Sequence, residues 1–182
     1  MPPPCRSRFA VSALPKGNGR RLFVFFAAIG LGLLSSAWGQ LSSNQQKAGV
    51  IGKLPSYVSD SNGDGKITIG FLGGSSIKSL AAAVAGGRAT VISIGSASDA
   101  ARCDIVFVSS GSQGSWRSYR SSAPAALSVG ESSGFAASGG ILMLIPSADG
   151  LRLSYSKSNY AAARSAGLKL SSRLLRLATA VD

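Results

Sequence analysis

Short β-branched apolar runs alternate with short helical segments from Lys66 to the C-terminus, and that alternation leaves few folds open. Lys66 to Leu72 reads as a strand closed by Gly73-Gly74. Ser75 or Ser76 is then expected to cap a helix that runs to Ala85 and stops at Gly86-Gly87. Ala89 to Ile94 repeats the strand pattern and Ser96 to Ala101 fits a short helix. Ile105 to Ser109 is almost wholly apolar, as a strand covered on both faces should be. Gly111 to Ser122 reads as a loop with one helical turn around Trp116, and Ala125 to Val129 as a further strand. Ile141 to Ile145 and Leu151 to Tyr155 bracket Ala148-Asp149-Gly150, the residues of a hairpin turn. Asn159 is expected to cap a helix from Tyr160 to Ala166, which Gly167 ends. Leu168 to Leu170 reads as a short strand, and Ser171 or Ser172 as the cap of a last helix, Arg173 to Ala180. Strand and helix in alternation, with one late hairpin, predict a single layered α/β/α domain with a mixed, mostly parallel sheet.

The segment before this pattern has a different logic. Arg6, Arg8, Lys16, Arg20 and Arg21 precede an unbroken apolar and glycine run, Leu22 to Leu34, with no acidic residue before Asp60. Thirteen helical residues span about 20 Å, short of a roughly 30 Å hydrocarbon core. Small residues at Ala37 and Gly39 follow, the order of a secretory signal cleaved before Gln40. Residues 1–39 are thus expected to be a cleavable signal, 40–46 a polar linker, and 47–182 one domain exported from the cytoplasm. The Arg20-Arg21 pair leaves the export route open. Gln45 to Val58 reads as the domain's first helix, ended or kinked near Leu54 by Pro55. Its apolar residues exceed one buried stripe, which makes Val50, Leu54 and Tyr57 candidates for contact with a partner.

Composition removes whole classes of chemistry. The chain has no histidine, so Ser–His–Asp and Cys–His nucleophilic sites and His-ligated zinc are excluded. Cys5 leaves with the signal and Cys103 stays as a lone thiol in an apolar strand, expected to be buried and unpaired. Lysine and arginine outnumber acidic residues 19 to 7, but in the domain they are scattered singly, without the basic stripe and interleaved aromatics of a nucleic-acid binder. Four motifs look chemical and have plainer explanations. Gly130-Glu131-Ser132-Ser133-Gly134 fits a nucleophile elbow that has no histidine to serve it. Ser75-Ser76-Ile77-Lys78 fits Ser-x-x-Lys without its companion elements. Asp60, Asn62, Asp64 and Gly65 begin like a calcium loop, but its twelfth position falls on Phe71, so a tight turn is the expected use. Asp99 and Asp104 do not have the spacing of a convergent carboxylate pair. No catalytic residue, metal or cofactor is expected.

From Leu127 the residues become specific. Leu127-Ser-Val-Gly130, Gly134-Phe135-Ala136 and Gly139-Gly140-Ile141 are followed by Asn159, Ala162-Ala163-Arg164 and the run Ala166-Gly167-Leu168-Lys-Leu-Ser171-Ser172-Arg-Leu174-Leu175-Arg-Leu-Ala178. This closely resembles the C-terminal signature of the YfiR family of exported bacterial proteins. Lys47-Ala48 with Lys53 and Pro55, Ile69 to Gly73, and Cys103 to Val108 resemble its upstream elements in the same order, so the likeness covers about residues 44–180. Each matched residue also has a folding job. Glycines 134, 139 and 140 free the backbone at a turn and a close approach, and Gly167 suits a left-handed helix end. Leu170, Leu174, Leu175 and Ala178 form one apolar face.

The resemblance implies a periplasmic regulator that restrains an inner-membrane diguanylate cyclase by protein contact, lowering cyclic-di-GMP and biofilm growth, with a homodimer open and no reaction of its own. Here Ser156-Lys157-Ser158-Asn159 replaces the family's usual Phe-x-Ile-Asn, Ser56-Tyr57 replaces a Trp-Pro pair, and Cys103 lacks a partner cysteine. These departures bear on the partner surface more than on the fold. Two functions therefore stay in view. One is a non-enzymatic signalling regulator that binds a membrane-bound cyclase or kinase. The other is a periplasmic small-molecule binding module for a sensor kinase or transport system, its ligand near Gly73-Gly74 and Ser109-Ser110 at the strand ends.

Overall fold

A computed structural model describes residues 42–60 and 65–182, and the signal, its cleavage point and residues 61–64 lie outside them. The first helix, α1 (Ser43–Lys53), starts earlier than its apolar pattern suggests. Ser42 Oγ accepts from Gln45 N at 3.3 Å and Gln45 Oε1 accepts from Ser42 N at 2.8 Å. That reciprocal pair is a capping box, so residues 43–46, expected to be linker, form the first turn. A 3-10 turn, Leu54–Ser56, follows with Pro55 at its start, as the proline requires.

Five strands then alternate with helices. They are β1 (Ile67–Leu72), α2 (Ser75–Ala85), β2 (Ala89–Ser93), α3 (Ala97–Ala101), β3 (Ile105–Val108), α4 (Gln113–Tyr119), β4 (Leu127–Gly130) and β5 (Leu142–Ser147). A hairpin leads to β6 (Gly150–Ser156), followed by α5 (Lys157–Ser165), α6 (Ser172–Leu177) and β7 (Thr179–Val181). All seven strands make one sheet in the order β2-β1-β3-β4-β5-β6-β7. The pairs from β2 to β5 are parallel, β5–β6 is antiparallel and β6–β7 is parallel. A mixed, mostly parallel sheet with one late hairpin is the expected architecture.

Both faces of the sheet are covered. Ile69, Phe71, Ile105, Phe107, Leu127 and Leu144 point to one side and meet Ile51 and Leu54, Ile77 and Ala81 of α2, Ala163 of α5 and Leu174 of α6. Leu72, Val106, Val108 and Met143 point to the other and meet Ala100, Trp116 and Phe135. Two covered faces explain why β3 is apolar at every position. Where α1 crosses α2, a Cβ on Gly52 would fall 2.6 Å from Val84 Cβ and 2.9 Å from the Ala81 carbonyl oxygen, so only glycine permits that approach.

Several local expectations give way to longer-range structure. Gly74, left-handed at φ 67°, is the N-cap of α2, and Ser75 is its first residue. The region around Trp116 is a full helix flanked by 3-10 turns rather than a loop with one turn. Ser156, not Asn159, caps α5: its Oγ accepts from Asn159 N at 3.2 Å. Leu168 to Leu170 makes only one antiparallel bridge, Val58 with Leu170. The last helix ends at Leu177, because Thr179–Val181 pairs in parallel with β6.

Candidate functional site

The signature residues form a structural joint around Phe135. Its ring is fully buried between two glycines. A Cβ on Gly130 would lie 2.3 Å from the ring's Cγ, and one on Gly140 2.0 Å from Cδ1. The tilted ring of Trp116 completes the packing, with ring centroids 6.4 Å apart. Asn159 fastens the joint to α5, donating from Nδ2 to the carbonyls of Ala136 at 2.8 Å and Gly140 at 2.9 Å. Gly139 holds φ 82° and Gly167 φ 112°, the positive values that favour glycine. Gly134 has an ordinary φ and open space where a Cβ would go, so neither reason applies to it. Leu168 and Leu174 are buried, Leu175 half-buried, and Ser171 Oγ caps α6 by accepting from Arg173 N, with Ser172 its first residue. Ala166, exposed, closes α5.

The carboxyl ends of β1, β3 and β4 meet where the strand order reverses, between β1 and β3, the usual ligand crevice of such a sheet. Here the protein's own polar groups line it. The hydroxyls of Ser109 and Ser112, 2.9 Å apart, sit where a Cβ on Gly73 would be. Glu131 accepts from Ser110 N at 3.1 Å and pairs with Lys47 of α1 at 2.5 Å, both side chains about 13% exposed. α1 is thereby tied to the end of β4.

Described residues of the four motifs make structural contacts. Gly130 is packed under Phe135, and Ser132 Oγ accepts from Gln113 Nε2. Lys78 Nζ donates to Ser93 Oγ at 2.7 Å. Asp60 accepts from Gly65 N at 2.6 Å, closing the turn whose centre lies outside the described residues. Ser96 caps α3, and Asp99 in the first turn accepts from Ser96 Oγ and Gly95 N, which hold its carboxyl below the usual carboxylate range, with Arg102 adding to the effect. Asp104, fully buried, instead accepts from Thr68 N at 2.8 Å. Among the described residues no three acidic or cysteine side chains cluster as metal ligands.

Cys103 is buried and free, its Sγ directed to the Asp99 carbonyl at 3.2 Å. Burial, reinforced by the negative charge of Asp104, pushes its thiol up to about 12 from 9.0. The unfolded chain releases this proton first, so the stability this thiol contributes is complete below about pH 9 and is lost as pH rises toward 12. Native protein at pH 8 should therefore resist a bulky maleimide and react fully once denaturant is added. Rapid labelling without denaturant is the contrary result.

The three partner-contact candidates separate. Leu54 is 1% exposed and belongs to the core, one turn on from the buried Ile51 in the same stripe. Val50 and Tyr57 are half-buried, and the Tyr57 carbonyl accepts from Ser171 N at 2.8 Å. Sequence reasoning missed Leu80 and Val84 of α2, 37% and 38% exposed, and Leu177, 63% exposed. Among the described residues no helix is long and apolar enough to cross a membrane.

Fold and site together define a doubly wound α/β domain, flavodoxin-like in the order 2-1-3-4-5 and extended by a hairpin and a seventh strand. The chain belongs to the YfiR/HmsC-like family, whose model matches residues 44–179. None of the curated proteins is similar enough in sequence to count as a relative. Among solved structures, a conserved domain protein from Vibrio cholerae matches with a TM-score of 0.51 at 15% identity. The match covers 76% of this chain and 60% of that one, a likeness of fold.

Proposed function

We propose that the protein is a periplasmic, non-enzymatic regulator that binds and restrains an inner-membrane signalling protein of the diguanylate cyclase kind. The family match across residues 44–179 is the observation that carries this function. The missing histidine and the structural contacts of Lys78 and Ser132 agree with it. Regulation by contact needs area, commonly about 800 Å² per partner. Val50 and Tyr57 offer part of it. Val84, seated against Gly52, adds exposed apolar surface where α2 meets α1. Tyr57→Asp should keep the melting transition and weaken capture of the membrane partner in a periplasmic cross-linking experiment. Undiminished capture by this variant and by Leu80→Asp would remove this surface from the proposal. A small-molecule binding role for a sensor kinase or transport system is favoured by one observation, a cleft at the opposite end of the sheet from the strand carboxyl ends.

A further inference from the structure

A cleft of about 240 Å³ opens near the start of β4, between the end of α4 and the face of α5. Ala126, Ile141 and Ala163, all buried, give it an apolar floor. For scale, an apolar cavity of about 150 Å³ accepts benzene. Its polar groups are unequally satisfied. Ser128 Oγ is taken by Ile141 N at 3.0 Å, and both hydrogens of Asn159 Nδ2 are spent on backbone carbonyls. Trp116 is 2% exposed, lines the cleft, and its indole N–H has no acceptor among the described residues. An orphaned buried donor of this kind is costly and calls for a partner. Arg120, exposed, also lines the cleft, and its guanidinium has no partner among the described residues. Gly139 keeps Arg120 there: a Cβ at that position would fall 2.2 Å from Nη1. No Asp or Glu lines the cleft.

Two unmet donors, one of them cationic, over an apolar floor and with no acid nearby, select an acceptor that is anionic and attached to an apolar body. We propose that this cleft is a binding site for a small apolar carboxylate. Arg120 takes the carboxylate through its planar fork, and the indole N–H of Trp116 takes an oxygen of the same ligand. The apolar body lies on Ala126, Ile141 and Ala163. Neither group belongs to the terminal signature or to the proposed partner surface, so this site stands or falls apart from the regulatory role.

Benzoate is a suitable probe, with benzamide as its uncharged counterpart and the full chain labelled with nitrogen-15. The indole resonance of Trp116, assigned by its loss in Trp116→Phe, should move saturably with benzoate as the N–H gains an acceptor. Arg120→Gln, at an exposed position that leaves the core intact, should weaken benzoate about 10-fold or more, as loss of a charge-assisted pair does. Benzamide should bind wild type at least about 10-fold more weakly than benzoate for the same reason. An indole resonance that neither compound moves would mean that the cleft holds only water and would overturn the site. Equal affinity for the two compounds, or an affinity unchanged by Arg120→Gln, would overturn the role of Arg120 and with it the carboxylate.

Discussion

Phe135→Ala should cost about 3–5 kcal/mol, the usual range for removing a fully buried aromatic ring. Native domains hold only about 5–15 kcal/mol, so this one change consumes a large part of the margin. The ring is clasped by Gly130 and Gly140 and touches Trp116, and its loss leaves a cavity that two glycines cannot fill. Gly140→Ala attacks the same joint from the other side. A methyl group 2.0 Å from a buried ring forces the ring or the strand to move, and overpacking of this kind costs about 1–3 kcal/mol. Urea denaturation followed by circular dichroism reads both. The two changes act on one contact, so the double variant should fall short of the sum. If Phe135→Ala unfolds within about 1 kcal/mol of wild type, the signature is not the structural joint described here.

That joint shows what can be read along a chain and what cannot. The apolar run Ile105–Val108 and the turn Ala148-Asp149-Gly150 announce a covered strand and a hairpin through local composition alone. Leu54 and Val50 belong to one apolar pattern, and only the packing of α1 on the sheet decides that the stripe with Ile51 and Leu54 is the buried one and Val50 lies at its margin. Asn159 resembles a helix cap in its neighbourhood. Its side chain instead bonds carbonyls 19 and 23 residues earlier, a distance no periodicity reports. Thr179–Val181 continues a helical pattern and becomes a strand only because β6 offers an open edge. The cleft beside Trp116 was invisible for the same reason. Trp116 and Arg120 share the end of α4, but Gly139 and Asn159 come from separate segments, and only packing brings them to that helix end. By contrast, Gly73-Gly74 and Ser109-Ser110 are legible as strand ends, whereas the approach of Ser109 and Ser112 to Gly73 and the Lys47–Glu131 pair beside them join segments far apart in the chain.

The other large effect concerns signalling. A regulator that restrains its partner by contact shifts the partner between active and inactive states only as far as it binds one state better. Couplings of the usual size, about 1–3 kcal/mol, correspond to about 5–150-fold. Deleting the gene should therefore release the partner by at least the low end of that range. Restoring the wild-type chain should reverse the release, whereas a Phe135→Ala chain that fails to fold should not. Intracellular cyclic-di-GMP in the deletion strain is the direct measurement. The account predicts a rise of about fivefold or more that the wild-type chain suppresses; a level unchanged by deletion and unchanged by restoring the chain would contradict it.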